Sequence, residues 1–227
     1  MNKRLEAIAQ LVPDGRGLID VGTDHGYLPV WLASHGYSGA LIASDINTQP
    51  LSVAVRAAKE AGIEDRIRFL HCNGLEKCPP DEIDTIVIAG MGGDLICDIL
   101  DRAEWVLDPQ YTLLLQPMTK AEVLRYWLCN NGFSLDRERL VRDGAFLYQV
   151  ISARFSRNMR LTDAELFSGA FKNFRHDPLA EEWLELLCAR FEKELSGLSS
   201  AAKRKPGKIE ICRQILRELE KMKGQLP

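Results

Sequence analysis

The stretch Leu18-Ile19-Asp20-Val21-Gly22-Thr23-Asp24-His25-Gly26 constrains this chain more than any other. It begins as an apolar run interrupted by one carboxylate, the pattern of a strand buried on both faces. The run stops at Gly22, and an amphipathic helical pattern resumes at Leu28. Glycines at both ends of Thr23-Asp24-His25 leave little side chain near the turn. A ligand can therefore approach the backbone beside the N–H groups of the following helix. An ordinary tight turn between strand and helix gives the same local pattern, and the rest of the chain separates the two readings.

The strand-then-helix alternation recurs. Residues 3–11 place Leu5, Ile8, Ala9 and Leu11 on one helical face, and Pro13-Asp14-Gly15 breaks it before the opening strand. A helix is expected over 28–36, a strand over 41–45 and a helix over 50–61 that Gly62 ends. A third strand spans 67–71. A fourth, 85–89, runs into the turn Gly90-Met91-Gly92-Gly93, followed by a helix over 94–102. The fifth, 111–116, is closed by Pro117, and a helix over 120–130 follows. Strands over 133–141 and 146–155 are separated only by Arg142-Asp143-Gly144-Ala145, so they must be antiparallel. Five strands separated by helices argue for an α/β fold, a mostly parallel sheet with helices on both faces and an antiparallel terminal hairpin.

Beyond about residue 158 no strand pattern survives. Residues 161–174 read as a helix capped by Thr162 or Asp163. Leu179, Trp183, Leu186, Leu187, Phe191, Leu195 and Leu198 form one helical stripe, and Ile209, Cys212, Ile215, Leu216 and Leu219 form a second. With Pro206-Gly207 as a turn, these make an antiparallel helical pair. The expected division is a core domain over 1–157 and a helical extension over 158–227. Charge divides the same way: residues 1–155 hold 15 Lys/Arg against 21 Asp/Glu, and residues 156–227 hold 14 against 11. The cluster Lys203, Arg204, Lys205 and Lys208 is either a solvated helix face or the place where a polyanion is met.

No apolar run approaches the ~20 residues that span a bilayer, and the first residues carry charge with no apolar core behind them, so the expected location is the cytoplasm. The six cysteines form no C-x-x-C pair and no zinc-ligand cluster, so buried thiols are expected, with no disulfide and no metal.

In an open parallel sheet, ligands bind beyond the carboxyl ends of the strands. Four such ends carry ligand-like residues: Gly22, Thr23, Asp24, His25 and Gly26 after the first strand; Asp45, Ile46 and Asn47 after the second; Asn73 and Gly74 after the third; and Ala89, Gly90, Met91 and Gly92 after the fourth. Asp45 lies about 20 residues past the turn, the spacing at which a carboxylate accepts both hydroxyls of a ribose. Alone it reads equally as a helix cap. Asn73 suits an adenine edge, and the glycines after strand four leave space. Together they point to a nucleoside cofactor. A dinucleotide fold requires Gly at the middle of the first turn to seat a pyrophosphate, but Asp24 stands there. A carboxylate repels a pyrophosphate and attracts the sulfonium and amino group of S-adenosylmethionine. The expectation is a class I methyltransferase using that cofactor.

The residues Asp20-Val21-Gly22-Thr23-Asp24-His25-Gly26-Tyr27-Leu28-Pro29 resemble the opening motif of the bacterial tRNA (adenine-N1)-methyltransferases of the TrmK family. Ser44-Asp45-Ile46-Asn47, Ile88-Ala89-Gly90-Met91-Gly92-Gly93, Leu115-Gln116-Pro117 and Leu124-Arg125 with Trp127-Leu128 fall where that family has its later motifs. The resemblance implies a Rossmann-like seven-stranded sheet with a coiled-coil-like helical extension, tRNA as partner, and methylation at N1 of an adenine, position 22 in the family's name. Met118 follows Gln116-Pro117 where the family has Asn, and Asn73 stands where Asp is expected.

The acceptor chemistry suggests roles. Adenine N1 already carries a lone pair, so the enzyme must align it and stabilise a cationic product. Asp24 is the expected catalytic group, with a helix cap or a ligand to the methionine amine as equal alternatives. His25 reads as a packing or cofactor-loop residue. Gln116 either binds the target base or simply ends a strand. Tyr27, Trp31 and Tyr148 stack on a base or join the core, Trp31 the latter. Lys203, Arg204, Lys205 and Lys208 are the expected RNA-binding residues, unless the helical pair packs on the core or dimerises. A monomer is favoured. Competing readings are a methyltransferase for a small molecule or protein, and a non-catalytic binding scaffold.

Overall fold

The computed structural model describes residues 1–156, 160–200 and 206–227. After helix α1 (Lys3–Ala9) come β1 (Gly17–Val21), α2 (Tyr27–Ser34), β2 (Ala40–Asp45), α3 (Thr48–Glu60) and β3 (Ile67–His71). Then follow β4 (Thr85–Gly92), α4 (Gly93–Asp101), β5 (Thr112–Thr119), α5 (Ala121–Asn130), β6 (Phe133–Asp143) and β7 (Phe146–Phe155). The strands form one seven-stranded sheet in the order β3-β2-β1-β4-β5-β7-β6. Strands β1 to β5 pair in parallel, and β7 runs antiparallel to both neighbours. The expected α/β fold with a terminal hairpin is therefore present. Strand order reverses between β1 and β4, which opens a crevice at their carboxyl ends.

The alternation of side chains along each strand divides the core into two layers. Ile19, Val21, Ile86 and Ile88 pack on one face with Ile96, Leu100, Leu124 and Leu128 from α4 and α5. Leu18, Leu41, Val87 and Leu114 pack on the other with Ile8, Leu28 and Leu32 from α1 and α2. Each such side chain contributes about 1.5–3 kcal/mol when fully buried. This two-sided burial explains why β1 reads as an unbroken apolar run.

The extension comprises α6 (Asp163–Ser168), α7 (Phe171–Phe174), α8 (Ala180–Ser200) and α9 (Pro206–Lys223). Phe191, Cys212, Ile215 and Leu219 join α8 to α9 in a third core that also takes Leu140 of β6. Cys212 lies against Phe191, and Lys223 bonds Glu185, so the two helices run antiparallel as expected. The extension is latched to the sheet by a fully buried Arg125, which donates to Glu138 Oε1 at 2.8 Å, to Leu166 O at 2.9 Å and to the Gln149 amide. Glu138 accepts in turn from Ala170 N–H.

Four local expectations need correction. The helix expected over 161–174 is broken at Gly169, whose φ is 94°. A Cβ there would stand 2.7 Å from Glu138 Oε1, so the chain kinks to pass the buried carboxylate. Pro117 does not close β5, which continues to Thr119. Gly90-Met91-Gly92 belongs to β4: Ala89 pairs Gln116 and Met91 pairs Pro117, leaving Gly90 as the extra residue of a bulge at φ 77°. Pro206 opens α9 instead of making a turn, consistent with its preference for the first helical position. Residues 201–205, between the two helices, lie outside the described residues.

Candidate active site

At the β1/β4 crevice lies a cavity of about 610 Å³. One end is built from the loops after β1, β2 and β3. Gly22, at φ 70°, turns the chain off β1, and its N–H and that of Thr23 both donate to Ser44 O at 2.8 and 2.9 Å. The loop is thus curled onto β2, and its first two N–H groups are not free to cradle phosphate. Asp24 adopts a left-handed conformation at φ 53°, tolerated by its short polar side chain. Its backbone N–H donates to Asp45 Oδ2 at 3.3 Å, while Asp45 Oδ1 accepts from Asn47 N–H at 2.8 Å. The N-cap of α3 is Asn47, so Asp45 is not the helix cap. One backbone donor on each oxygen leaves a further lone pair on each, directed by a rigid turn.

Asp20, near the end of β1, also lines the cavity and is 5% exposed. Burial pushes its carboxyl up to about 6, against a hydrogen bond from Thr23 Oγ1 at 2.7 Å, with the Asp45 charge adding to the rise. The cavity wall therefore carries three carboxyl groups, Asp20, Asp24 and Asp45. Asn73 Nδ2 donates to Glu76 Oε1 at 2.9 Å, so its amide oxygen stays available as an acceptor. Gly74 passes so close to Ile99 that a Cβ would lie 3.1 Å from its Cγ2.

The opposite end is formed by β4 and β5. Met91 lies across the crevice, and a Cβ on Gly22 would stand 2.2 Å from its Cε. The bulge residue Gly90 faces open space. Gln116 is fully buried, with its amide fixed at both ends: Nε2 donates to Pro117 O at 3.0 Å, and Oε1 accepts from Arg4 Nη1 at 3.0 Å.

Gly22, Thr23, Asp24, Asp45, Ile46, Asn47, Asn73, Gly74, Ala89, Gly90, Met91 and Gln116 all line this cavity, whereas His25, Gly26 and Gly92 lie outside its wall. His25 packs edge-on against Tyr27 with ring centres 5.5 Å apart, and its Nδ1 stands 3.2 Å from Asp24 Oδ1 without hydrogen-bond alignment. Gly26 serves packing, since a Cβ would lie 2.8 Å from that of Ala54. Gly92 abuts Asp94 and Thr119. Trp31 stacks on His35 at 4.0 Å, while Tyr27 is exposed at the rim and Tyr148 lies under Arg4. Lys203, Arg204 and Lys205 lie outside the described residues, and Lys208 is exposed in the first turn of α9.

The sequence reading missed Asp20, Arg4 and Met118 as wall residues. A carboxylate in an apolar strand, two residues before the turn glycine, was the available signal for Asp20. Arg4 had none, because its partner Gln116 is 112 positions away. Among the described residues no cluster of metal-ligating side chains occurs, and no helix is long and apolar enough to cross a membrane.

Residues 1–151 match the methyltransferase domain family. The chain belongs to that family. It is 36% identical over 154 residues to the tRNA (adenine(22)-N(1))-methyltransferase of Bacillus subtilis, a match covering 67% of this chain and 64% of that protein. The aligned region thus spans less than two thirds of the relative's length. The crystal structure of the B. subtilis tRNA methyltransferase TrmK superposes with a TM-score of 0.80 at 27% identity, covering 100% of this chain and 97% of that one. The crystal structure of Streptococcus pneumoniae Sp1610, a putative tRNA (m1A22) methyltransferase, in complex with S-adenosyl-L-methionine gives a TM-score of 0.82 at 26% identity, covering 97% of this chain and 98% of that one. These likenesses bear out the TrmK resemblance carried by the motifs.

Proposed function

We propose that this methyltransferase transfers a methyl group from S-adenosylmethionine to N1 of adenine 22 in tRNA. The observation that carries the reading is the wall of three carboxyl groups around one cavity, with the loop N–H groups spent on Ser44. That arrangement favours a cationic nucleoside and disfavours a pyrophosphate. The donor set fits such a cofactor. Asp45 keeps one lone pair per oxygen for the two ribose hydroxyls, Asn73 offers an amide oxygen to the adenine amine, and Asp20 and Asp24 offer negative charge to the amino-acid end.

When bound, the cofactor supplies an electrophilic methyl on a sulfonium centre. This chain's own residues do the rest. Gly90 leaves room beside the reaction centre, and the buried Gln116 amide, bonded to Arg4 and Pro117, braces the acceptor side. No side chain has to remove a proton before attack, because adenine N1 already has an in-plane lone pair. Asp24, exposed on the wall, stabilises the positive charge that develops on the base and takes a proton from its amino group afterwards. N1 lies on the pairing edge, so a paired adenine must first leave its stack. The acidic core leaves tRNA binding to local basic surface, for which Lys203, Arg204, Lys205 and Lys208 are the reading.

The test is radiolabelled methyl transfer from S-adenosylmethionine into unmodified tRNA, with the modified nucleotide mapped. Label at N1 of adenine 22 is expected. Transfer into a small molecule or protein, with none into tRNA, would overturn the reading.

A further inference from the structure

Helix α1 precedes the whole sheet in sequence, yet it delivers a side chain to the acceptor end of the cavity. Arg4 is the one Lys or Arg lining that cavity among the described residues, against the carboxyl groups of Asp20, Asp24 and Asp45. Its guanidinium is held on three sides. Nε donates to Asp143 Oδ2 at 2.9 Å, Nη1 donates to Gln116 Oε1 at 3.0 Å and approaches Met118 Sδ at 2.9 Å, and the group sits 5.0 Å over the Tyr148 ring. A guanidinium has five N–H donors. The two on Nη2 meet no acceptor among the described residues. The side chain is 21% exposed, so this free edge is a fixed donor pair in a partly desolvated position.

We propose that Arg4 Nη2 binds a phosphate oxygen of the RNA strand at the target adenosine, while Nη1 holds Gln116 beside the base. The inference rests on the tRNA reading above. An RNA nucleotide brings a phosphate with its base, and a cavity with three carboxyl groups repels that phosphate. A cation at the rim is therefore required for the base to enter. A planar fork with one edge already fixed suits a phosphate oxygen better than a mobile lysine does, because less freedom is lost on binding. Asp143 orients the fork without covering the Nη2 edge, and Tyr148 sets its plane. Phosphate recognition is thereby tied to the buried Gln116 amide behind the base through one side chain.

The experiment compares wild type, R4A, R4Q and R4K. It measures affinity for unmodified tRNA across a salt series, kcat and KM for methyl transfer, cofactor affinity, and thermal melting. R4A is expected to weaken tRNA binding about tenfold and to flatten the slope of log K against log salt by ~0.7–0.9. Cofactor affinity should stay at the wild-type value. R4K keeps the slope but lowers kcat, because an ammonium cannot hold Gln116, Asp143 and a phosphate in one plane. If R4A does not fold, R4Q removes the charge at similar volume and must show the same flattening. A wild-type salt slope in R4A or R4Q overturns the proposal while leaving the tRNA reading intact. If wild type neither binds nor methylates tRNA, the tRNA reading fails and this inference fails with it.

Discussion

Asp45 Oδ2 accepts a hydrogen bond from the backbone N–H of Asp24 at 3.3 Å, so the turn after β1 is pinned to the carboxylate that ends β2. The turn that carries Asp24 and the carboxylate that ends β2 are thus positioned by each other. A left-handed φ at Asp24 makes this possible by turning its N–H back toward β2 while its side chain stays on the cavity wall.

Asp45→Ala should remove the proposed ribose acceptors together with the anchor of the Asp24 turn. A loss of cofactor affinity of about 100-fold is expected, since charge-assisted hydrogen bonds contribute ~1.5–3 kcal/mol. Calorimetric titration with S-adenosylmethionine measures it. An affinity within twofold of wild type would show that the ribose lies elsewhere.

Asp24→Ala leaves the backbone N–H that Asp45 accepts, so cofactor affinity should fall much less than turnover. A drop in kcat of about 10²–10³ is the range for losing one preorganised contact to charge that develops in the transition state. Single-turnover methylation alongside calorimetry separates the two effects. Equal losses in both would make Asp24 a cofactor ligand only.

Asp20 gives a pH dependence with a definite sign. Burial disfavours the charged form and pushes its carboxyl from the ordinary 3.8 up to about 6 in the fold. The folded protein therefore binds the proton more tightly than the unfolded chain does, and stability falls as pH rises from about 4 to about 6, by ~3 kcal/mol in total. A cationic ligand beside the carboxylate favours its ionised form. Cofactor affinity should then rise as pH increases through 6 and level off above it. Asp20→Asn should flatten both profiles, as measured by urea unfolding and calorimetry between pH 4.5 and 8. Profiles unchanged by the substitution would assign the titration to another group.

Arg125 and Glu138 are both fully buried and pair at 2.8 Å beneath the extension. Removing one partner strands a buried charge, so Arg125→Met should cost about 3–5 kcal/mol. The double substitution Arg125→Met with Glu138→Leu should cost distinctly less, because no unpaired charge remains. Denaturant unfolding of wild type and the two variants checks this. A double variant as unstable as the single would mean that the hydrogen bonds to Leu166 and Ala170 dominate the latch.

The same latch explains a limit of sequence reading. The stripes on α8 and α9 are legible as a helical pair, because Leu187, Phe191, Ile215 and Leu219 recur at helical spacing. The helix break at Gly169 is not legible, because it is imposed by Glu138, a residue 31 positions earlier that folds beneath it. In the site, Asp45 and the glycines of β1 and β4 are readable because each sits at a strand end and each strand announces itself. His25, Gly26 and Gly92 share those loops yet fall outside the cavity wall, since turn geometry decides which side each residue faces.

The sequence alone determined the order of strands and helices, the reversed terminal hairpin, and the carboxylate in the first turn that speaks against a pyrophosphate. Those features are local: period, turn residues and charge are written within a dozen positions. Only the tertiary structure brought Arg4 to Gln116 and Asp143, and put Asp20 in the cavity wall. Contacts between residues over a hundred positions apart depend on how the sheet is ordered and how α1 packs across it. A side chain's neighbours there follow from the packing of several elements at once, and no single stretch of sequence carries that information.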